Sequence, residues 1–492
     1  MAKKNILLLI FISLFIAFSF QSSRGLYETT EGRYAESARE MLETGNWLIP
    51  QLDYQPHWTK PPLTYWAIAA GIKLFGVNNL GARFANAFFY LLMILLVYAL
   101  GKTLWDDITG YISAFVFATS PFIITAANNV STDMILSFWE LLTVFAYWKA
   151  IRTNNSKHGR GWIVLVWLAS GLGFLTKGPP ALLSLLSIFV FHAIRLRQGR
   201  ELPKLMTFPG ISVFIISAFS WYLYVILQTD GLLDYFLKDE VVSRVFSDKF
   251  HRNPEWYKPV VIYLVPLFLG LIPWIFFWPK IKTRISSENI QNFIRKKIKQ
   301  NEVILFLFLW LLIPVIVLSV SRSRLPFYVL PFVPPLALVT GRGLLRAYRQ
   351  NKLLRKVHYA AALTAVIMVV GKGIAAYVDS PKCMSQLYRA VEKDSDQSTK
   401  FILYHRDKLY GLQYYLNGKL ERIQYGQEQD SQERSPETLF QEIVNKPDMT
   451  YVIITDQKNH VIQNMLDEMN ITYKLKIHQK KYNLISIHKT ST

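Results

Sequence analysis

The chain has 492 residues, 51% of them hydrophobic and only 18% charged, with a net charge of +21 and a mean hydropathy of +0.20. Soluble domains carry about 25% charged residues, and here the apolar residues cluster in runs of roughly 17–22, the length that crosses a bilayer as helix. A single soluble domain is thereby excluded, and the lone cysteine, Cys383, excludes an intrachain disulfide and argues against a metal–thiolate cluster.

The first element, MAKKNILLLIFISLFIAFSF, has a basic start and an apolar core but no small-x-small cleavage pattern at its end. It reads as an uncleaved first helix. About eleven spans follow the hydropathy, near 5–21, 82–100, 109–127, 133–150, 161–176, 179–195, 209–228, 259–278, 302–320, 326–341 and 357–377. The stretch 62–76 is apolar but short, a surface helix or a partial span.

Loop charge gives the orientation. With Lys3 and Lys4 inside, every second loop is also inside, and these loops are strongly basic: Lys149 to Arg160, RLRQGRELPK, KIKTRISSENIQNFIRKKIKQ and RGLLRAYRQNKLLRK. One register satisfies the positive-inside rule along the chain. In a soluble protein a charge of +21 suggests nucleic acid; here the topology rule accounts for it. The other loops, 22–81 and 229–258 among them, fall outside, as does everything after about 378. The expected fold is mainly α, a transmembrane unit over 1–378 and a small soluble α/β domain over 379–492. In that domain KFILYH, TYVIITD, YKLKIHQ and YNLISIH read as strands, and PETLFQEIVN and HVIQNMLDEM as helices. No internal repeat or low-complexity tract is seen.

The candidate chemistry lies on the outer side. YETTEGRYAESAREM, from Tyr27, places Glu28 and Glu31 at i and i+3, on one face if the stretch is a helix. That face is either solvated at the membrane surface or aimed at a ligand. In HWTKPPLTYW two prolines stiffen Lys60, which is a phosphate anchor or a snorkelling cation. Asp133 starts a span, as an N-cap or as a functional carboxylate. LTKGPP puts Lys177 in a tight hairpin. VFSDKFHRNPEWY gathers Lys249, His251 and Arg252, and SRSRLPFYVLP places Arg322 and Arg324 outside, against the charge rule. An anionic ligand explains such a set, with carboxylates available to activate a hydroxyl.

These segments together resemble the bacterial aminoarabinose-transferase type of glycosyltransferase, within the superfamily that includes protein O-mannosyltransferases. The matching stretches are EGRYAESAREMLETGNWLIPQL, WTKPP, LGARFANAFF, the Asp133 segment, FLTKGPPALL, the His251–Tyr257 loop, GLIPW and SRLPFYVLPFVPPLAL, in the family's order over roughly 25–340. The resemblance implies a GT-C membrane fold. It implies a sugar donor on polyprenyl (undecaprenyl) phosphate, inversion at the anomeric carbon, and an outer-face site in the bacterial inner membrane. The acceptor is lipid A, another glycolipid or a protein. Carried over by position, Arg33, Tyr34 and Lys60 look like phosphate-site residues, Asp133 like the family's second acidic position and the His251 loop like the mobile loop that closes over the carrier; Lys177, His251, Arg252 and Arg324 are candidate phosphate contacts from their place among the outer cations. Glu28, Glu31 and Asp133 are the carboxylate candidates. The family's Asp-Glu pair is here Thr30-Glu31, and Thr59 stands where a Glu can precede the Lys-Pro. No metal ligand is therefore carried over, and a divalent ion is left open. The alternative reading is a transporter of polyprenyl-phosphate-linked sugar; the outer clustering of cations favours an enzyme over the midplane site of a transporter.

Overall fold

A computed structural model describes residues 3–153, 157–244, 252–278, 301–347, 350–396, 398–425, 435–446, 449–457, 460–478 and 481–488. The N-terminal part is a helical bundle. In chain order it contains α1 (Lys3–Phe18), α2 (Thr30–Thr44), α3 (Leu63–Phe75), α4 (Asn79–Leu104), α5 (Asp107–Ala118), α6 (Pro121–Ala127), α7 (Thr132–Arg152), α8 (Lys157–Lys177), α9 (Leu183–Arg197) and α10 (Phe208–Gln228). The helices Glu302–Val320, Val333–Ala347 and Gln350–Tyr377 follow. Among the described residues eight helices are long and apolar enough to cross a membrane, and α5 with α6 makes a ninth, bent by 63°. The protein is a multi-pass membrane protein.

The two other expected spans are present as shorter apolar pieces. The span expected over 5–21 is the 16-residue α1. That expected over 259–278 is broken into turns at Val260–Leu264, Val265–Gly270 and Trp274–Phe277. Pro259, Pro266 and Pro273 punctuate it, and each removes a backbone donor. The stretch 62–76 is a single helix, α3, one of the shorter apolar helices.

The bundle core is aromatic. Trp148, Phe191, Phe306 and Trp310 pack in tilted and edge-on pairs between α7, α9 and the helix Glu302–Val320, geometries that suit ring quadrupoles. At the rim, α10 exposes Ile215, Ile216, Leu223 and Leu227, as a lipid-facing helix does.

A short antiparallel hairpin of β1 (Gln51–Leu52) and β2 (Gln55–Pro56) follows α2, and the C-terminal part is a five-stranded sheet in the order β4-β3-β5-β7-β6. Its strands are β3 (Lys400–Tyr404), β4 (Leu420–Arg422), β5 (Tyr451–Asp456), β6 (Lys474–His478) and β7 (Tyr482–Ile487). β3 runs parallel to β4 and β5, while β7 is antiparallel to β5 and β6. Side chains alternate between two cores. Val452 and Ile454 join Met384, Leu387 and Leu412 on one side; Ile453 joins Phe440, Ile462 and Leu466 on the other. Burial on both faces explains the unbroken apolar run in TYVIITD. The four expected strands and two expected helices all form; β4 and the helices Met384–Glu392 and Tyr410–Tyr415 are additional to them.

Helix α2 joins the two parts. The expectation of a solvated surface helix is corrected here: ten of its residues, from Glu31 to Met41, are buried. It packs against α3 on one side and the helix Tyr410–Tyr415 on the other. Gly32 makes this possible, since a Cβ there would lie 2.8 Å from the Gly411 Cα.

Candidate active site

A cavity of about 640 Å³ opens between the Trp58–Pro61 segment, the start of α7, the α8–α9 hairpin, the end of α10, and the segments Leu233–Arg244 and Ser321–Pro331. Its walls are largely apolar, with Leu136, Phe174, Leu183, Phe219, Phe236 and Val317. Against them stand the charged groups Lys60, Lys177, Arg244, Asp133, Glu140 and Glu240.

Lys60 precedes Pro61 and Pro62, which hold it in an extended segment. Its Nζ donates to Glu240 Oε2 at 2.9 Å. Glu240 in turn takes Arg244 at both oxygens, Nη2 to Oε1 at 2.6 Å and Nε to Oε2 at 3.1 Å. Burial pushes Lys60 down to about 7, opposed by Glu240. Burial alone would raise Glu240; Lys60 and Arg244 reverse that and hold it below the usual carboxylate range. His57 accompanies them, its Nε2 2.7 Å from the Thr59 hydroxyl. Burial, then Arg33 and Lys60, push this imidazole down to about 4, so it is neutral at physiological pH.

The second ionic group is Asp133 with Lys177. Ser131, not Asp133, caps α7, which frees the Asp133 carboxylate to accept from Lys177 Nζ. Gly178 at φ +78° turns the chain directly after Lys177. The ammonium also sits 4.2 Å from the Tyr328 ring centroid, a cation–π contact.

The other expected site residues are placed elsewhere. Glu28 and Glu31 do not share a helical face, because α2 begins at Thr30, and neither lines the cavity. Glu31 is buried in a triad: Arg24 Nη1 donates at 2.8 Å and Arg83 Nη2 at 3.0 Å. Burial would raise Glu31, but the two arginines hold it down to about 2. The Glu28 carboxylate accepts from the Gly411 N–H of the C-terminal part. Burial pushes it up to about 7. Arg324 is expended on backbone carbonyls, donating to Asn253 and Glu255 at 2.8 Å and to Ser319 at 2.9 Å. It fastens the outer loop and does not line the cavity. The backbone of Arg252 takes part in the same fastening, accepting from the Arg324 N–H at 2.8 Å. Arg33 lies over the Tyr34 ring at 5.5 Å, on the α2 side of His57. His251 and Lys249 lie outside the described residues.

Three charged cavity residues were not singled out from the sequence: Glu140, Glu240 and Arg244. Glu240 and Arg244 carry the i,i+4 signature of an ion pair in the outer loop. Glu140 is a carboxylate inside an apolar span, a signal in its own right. Among the described residues no group of three His, Cys, Asp or Glu is arranged to hold a metal ion.

The model of the dolichyl-phosphate-mannose-protein mannosyltransferase family matches residues 6–236. An undecaprenyl phosphate-alpha-4-amino-4-deoxy-L-arabinose arabinosyl transferase of Pseudomonas savastanoi pv. phaseolicola is 33% identical over 70% of this chain and 63% of its own length. A second such transferase, from Pseudomonas fluorescens, is 32% identical over 78% of this chain and 68% of its own. The chain spans 62–63% of the length of the first curated relatives it matches. In structure it is similar to ArnT from Cupriavidus metallidurans bound to undecaprenyl phosphate, with a TM-score of 0.78 at 19% identity over 100% of this chain and 99% of that one. That likeness shows a shared fold over the whole described molecule. The 32% identity to the Pseudomonas fluorescens relative over 68% of its length shows that the chain belongs to the undecaprenyl phosphate-alpha-4-amino-4-deoxy-L-arabinose arabinosyl transferase family.

Proposed function

We propose that the chain is an inverting glycosyltransferase that moves a sugar from polyprenyl phosphate to an acceptor, lipid A first among them. In this reading the cavity faces the periplasmic side of the bacterial inner membrane, and residues 379–492 form an exocytoplasmic unit. One observation carries the reading: a single cavity joins apolar walls, suited to a prenyl chain, to Lys60, Lys177 and Arg244, suited to its phosphate. Family membership supports it independently.

In the proposed reaction an acceptor oxygen attacks the anomeric carbon from the face opposite the phosphate. The bond between that carbon and the phosphate oxygen breaks, and its electron pair leaves with the phosphate. Lys60, Arg244 and Lys177 stabilise the charge that builds there, the term that often dominates such catalysis. Asp133 takes the proton of a hydroxyl acceptor; a phosphate acceptor needs no base. Arg33, Tyr34, His251 and Arg252 are proposed to border the carrier. Arg324 holds the backbone of Arg252, Asn253 and Glu255. Glu28 and Glu31 belong to the scaffold in this reading, since each is engaged away from the cavity.

The test is transfer in proteoliposomes from an undecaprenyl-phosphate aminopentose to lipid A, read by mass spectrometry. Labelled lipid A is expected with the wild type, and roughly tenfold or weaker carrier binding with Lys60→Ala. Product formation unchanged in Lys60→Ala would remove the phosphate from this cavity.

A further inference from the structure

Glu140 is only 2% exposed, two helical turns along α7 from Asp133. The seven-residue spacing puts both carboxylates on one face, about 10 Å apart, and both line the cavity. Asp133 has Lys177 as its counter-ion. Glu140 has none: no ion pair to it occurs among the described residues, and Lys60 and Arg244 are both engaged by Glu240.

The side chain is nevertheless held in place. Trp310 Nε1 donates to Ser184 Oγ at 3.0 Å, which commits the Ser184 proton to Glu140 Oε2. This relay, drawn from α9 and the helix Glu302–Val320, fixes the carboxyl and leaves Oε1 without a hydrogen-bond partner. A buried carboxylate with an orphaned oxygen is destabilising unless a ligand completes it. An ionisable group in a membrane span is kept for such a role.

The cavity is thus polarised. Lys60 and Arg244 lie toward solvent, with 13% and 17% of their side chains exposed, and Glu140, without an ion pair among the described residues, is the most buried charged group of the lining. A ligand that fits is anionic at one end and donates hydrogen bonds at the other. A neutral hydroxyl would satisfy Oε1 alone, whereas an ammonium supplies the donor together with the opposite charge that keeps a buried carboxyl ionised. We propose that Glu140 binds a cationic amino group on the transferred sugar, so that the deep end of the cavity holds the sugar ring. This inference rests on the transferase reading and identifies the side chain that would read the sugar.

The experiment uses the full chain in nanodiscs with two synthetic donors, a polyprenyl-phosphate aminopentose and its matched neutral pentose. The wild type is expected to favour the amino donor in kcat/KM by roughly 10- to 100-fold, the range of a charge-assisted contact. Glu140→Gln, which keeps size and removes charge, should bring that ratio close to one. Ser184→Ala, which frees the carboxyl without changing its charge, should lower the ratio in part. If Glu140→Gln does not insert, Ser184→Ala decides in its place, and an unchanged ratio in that variant overturns the assignment. Equal transfer of both donors by the wild type overturns the Glu140 inference and leaves the transferase reading intact. An amino preference that survives Glu140→Gln overturns it equally. Absence of transfer from either donor overturns the transferase reading and this inference with it.

Discussion

Lys60 shows how burial sets the working range of one side chain. Its native value of about 7 lies below the usual 10.5, so between these pH values the unfolded chain binds more protons and stability rises with pH. Carrier binding has the opposite sign. A phosphodiester needs the charged ammonium, so its affinity should fall above about pH 7, by at most about tenfold per pH unit. Lys60→Arg, which stays charged, should flatten the profile measured from pH 6 to 9. A second expectation concerns Glu240, whose carboxylate occupies both Lys60 and Arg244. Glu240→Gln should tighten carrier binding by up to roughly tenfold by releasing two cations to the phosphate; weaker binding would mean that Glu240 only positions them. The sequence exposed Lys60 through its two prolines. It hid the pairing, because Lys60 and Glu240 are 180 residues apart and no local pattern connects them.

At the scale of the element, α2 shows why charge pattern alone misplaced the carboxylates. A run with several glutamates looks solvated, yet each buried one has found its own partner. Glu31 holds Arg24 and Arg83 together at the base of the helix. Breaking a buried charge cluster from one side typically costs about 3–5 kcal/mol. Glu31→Gln should therefore lower the melting temperature and the folded yield, measured by fluorescence-detected size exclusion. Glu28 behaves in the opposite way. Its native value of about 7 is above the usual 4.5, so the native state binds more protons and stability falls as pH rises across that window. Glu28→Gln keeps an oxygen for the Gly411 N–H and removes the charge. It should remove most of this pH dependence and raise the melting temperature at pH 8, with turnover unchanged. A loss of turnover with intact folding would return Glu28 to catalysis.

For the whole molecule the testable property is topology. Reporter fusions after residues 200 and 350 should give a cytoplasmic signal, and fusions after 400 an exterior one. A cytoplasmic signal at 400 would move the cavity to the other face of the membrane. The cavity's composition shows where local reading stops. Lys60, Asp133 and Lys177 were identified as candidates, since a Pro-flanked lysine, a carboxylate at a span start and a lysine in a Gly-Pro hairpin each leave a local mark. Glu28, Glu31 and Arg324 left equally plain marks and are engaged outside the cavity.

The sequence by itself determined the membrane class, most of the long apolar helices and the strands of the C-terminal sheet, because hydropathy and strand alternation act over neighbouring residues. It also located the family, through short motifs in a fixed order. Tertiary structure decided which charges meet. Whether a carboxylate faces a cavity, an arginine or a backbone N–H depends on contacts such as Glu31 with Arg83 and Glu28 with Gly411, 52 and 383 residues apart. In a low-dielectric interior each buried charge must find such a partner. Only the folded chain shows that Glu140, among the described residues, has the Ser184 hydroxyl but no counter-ion.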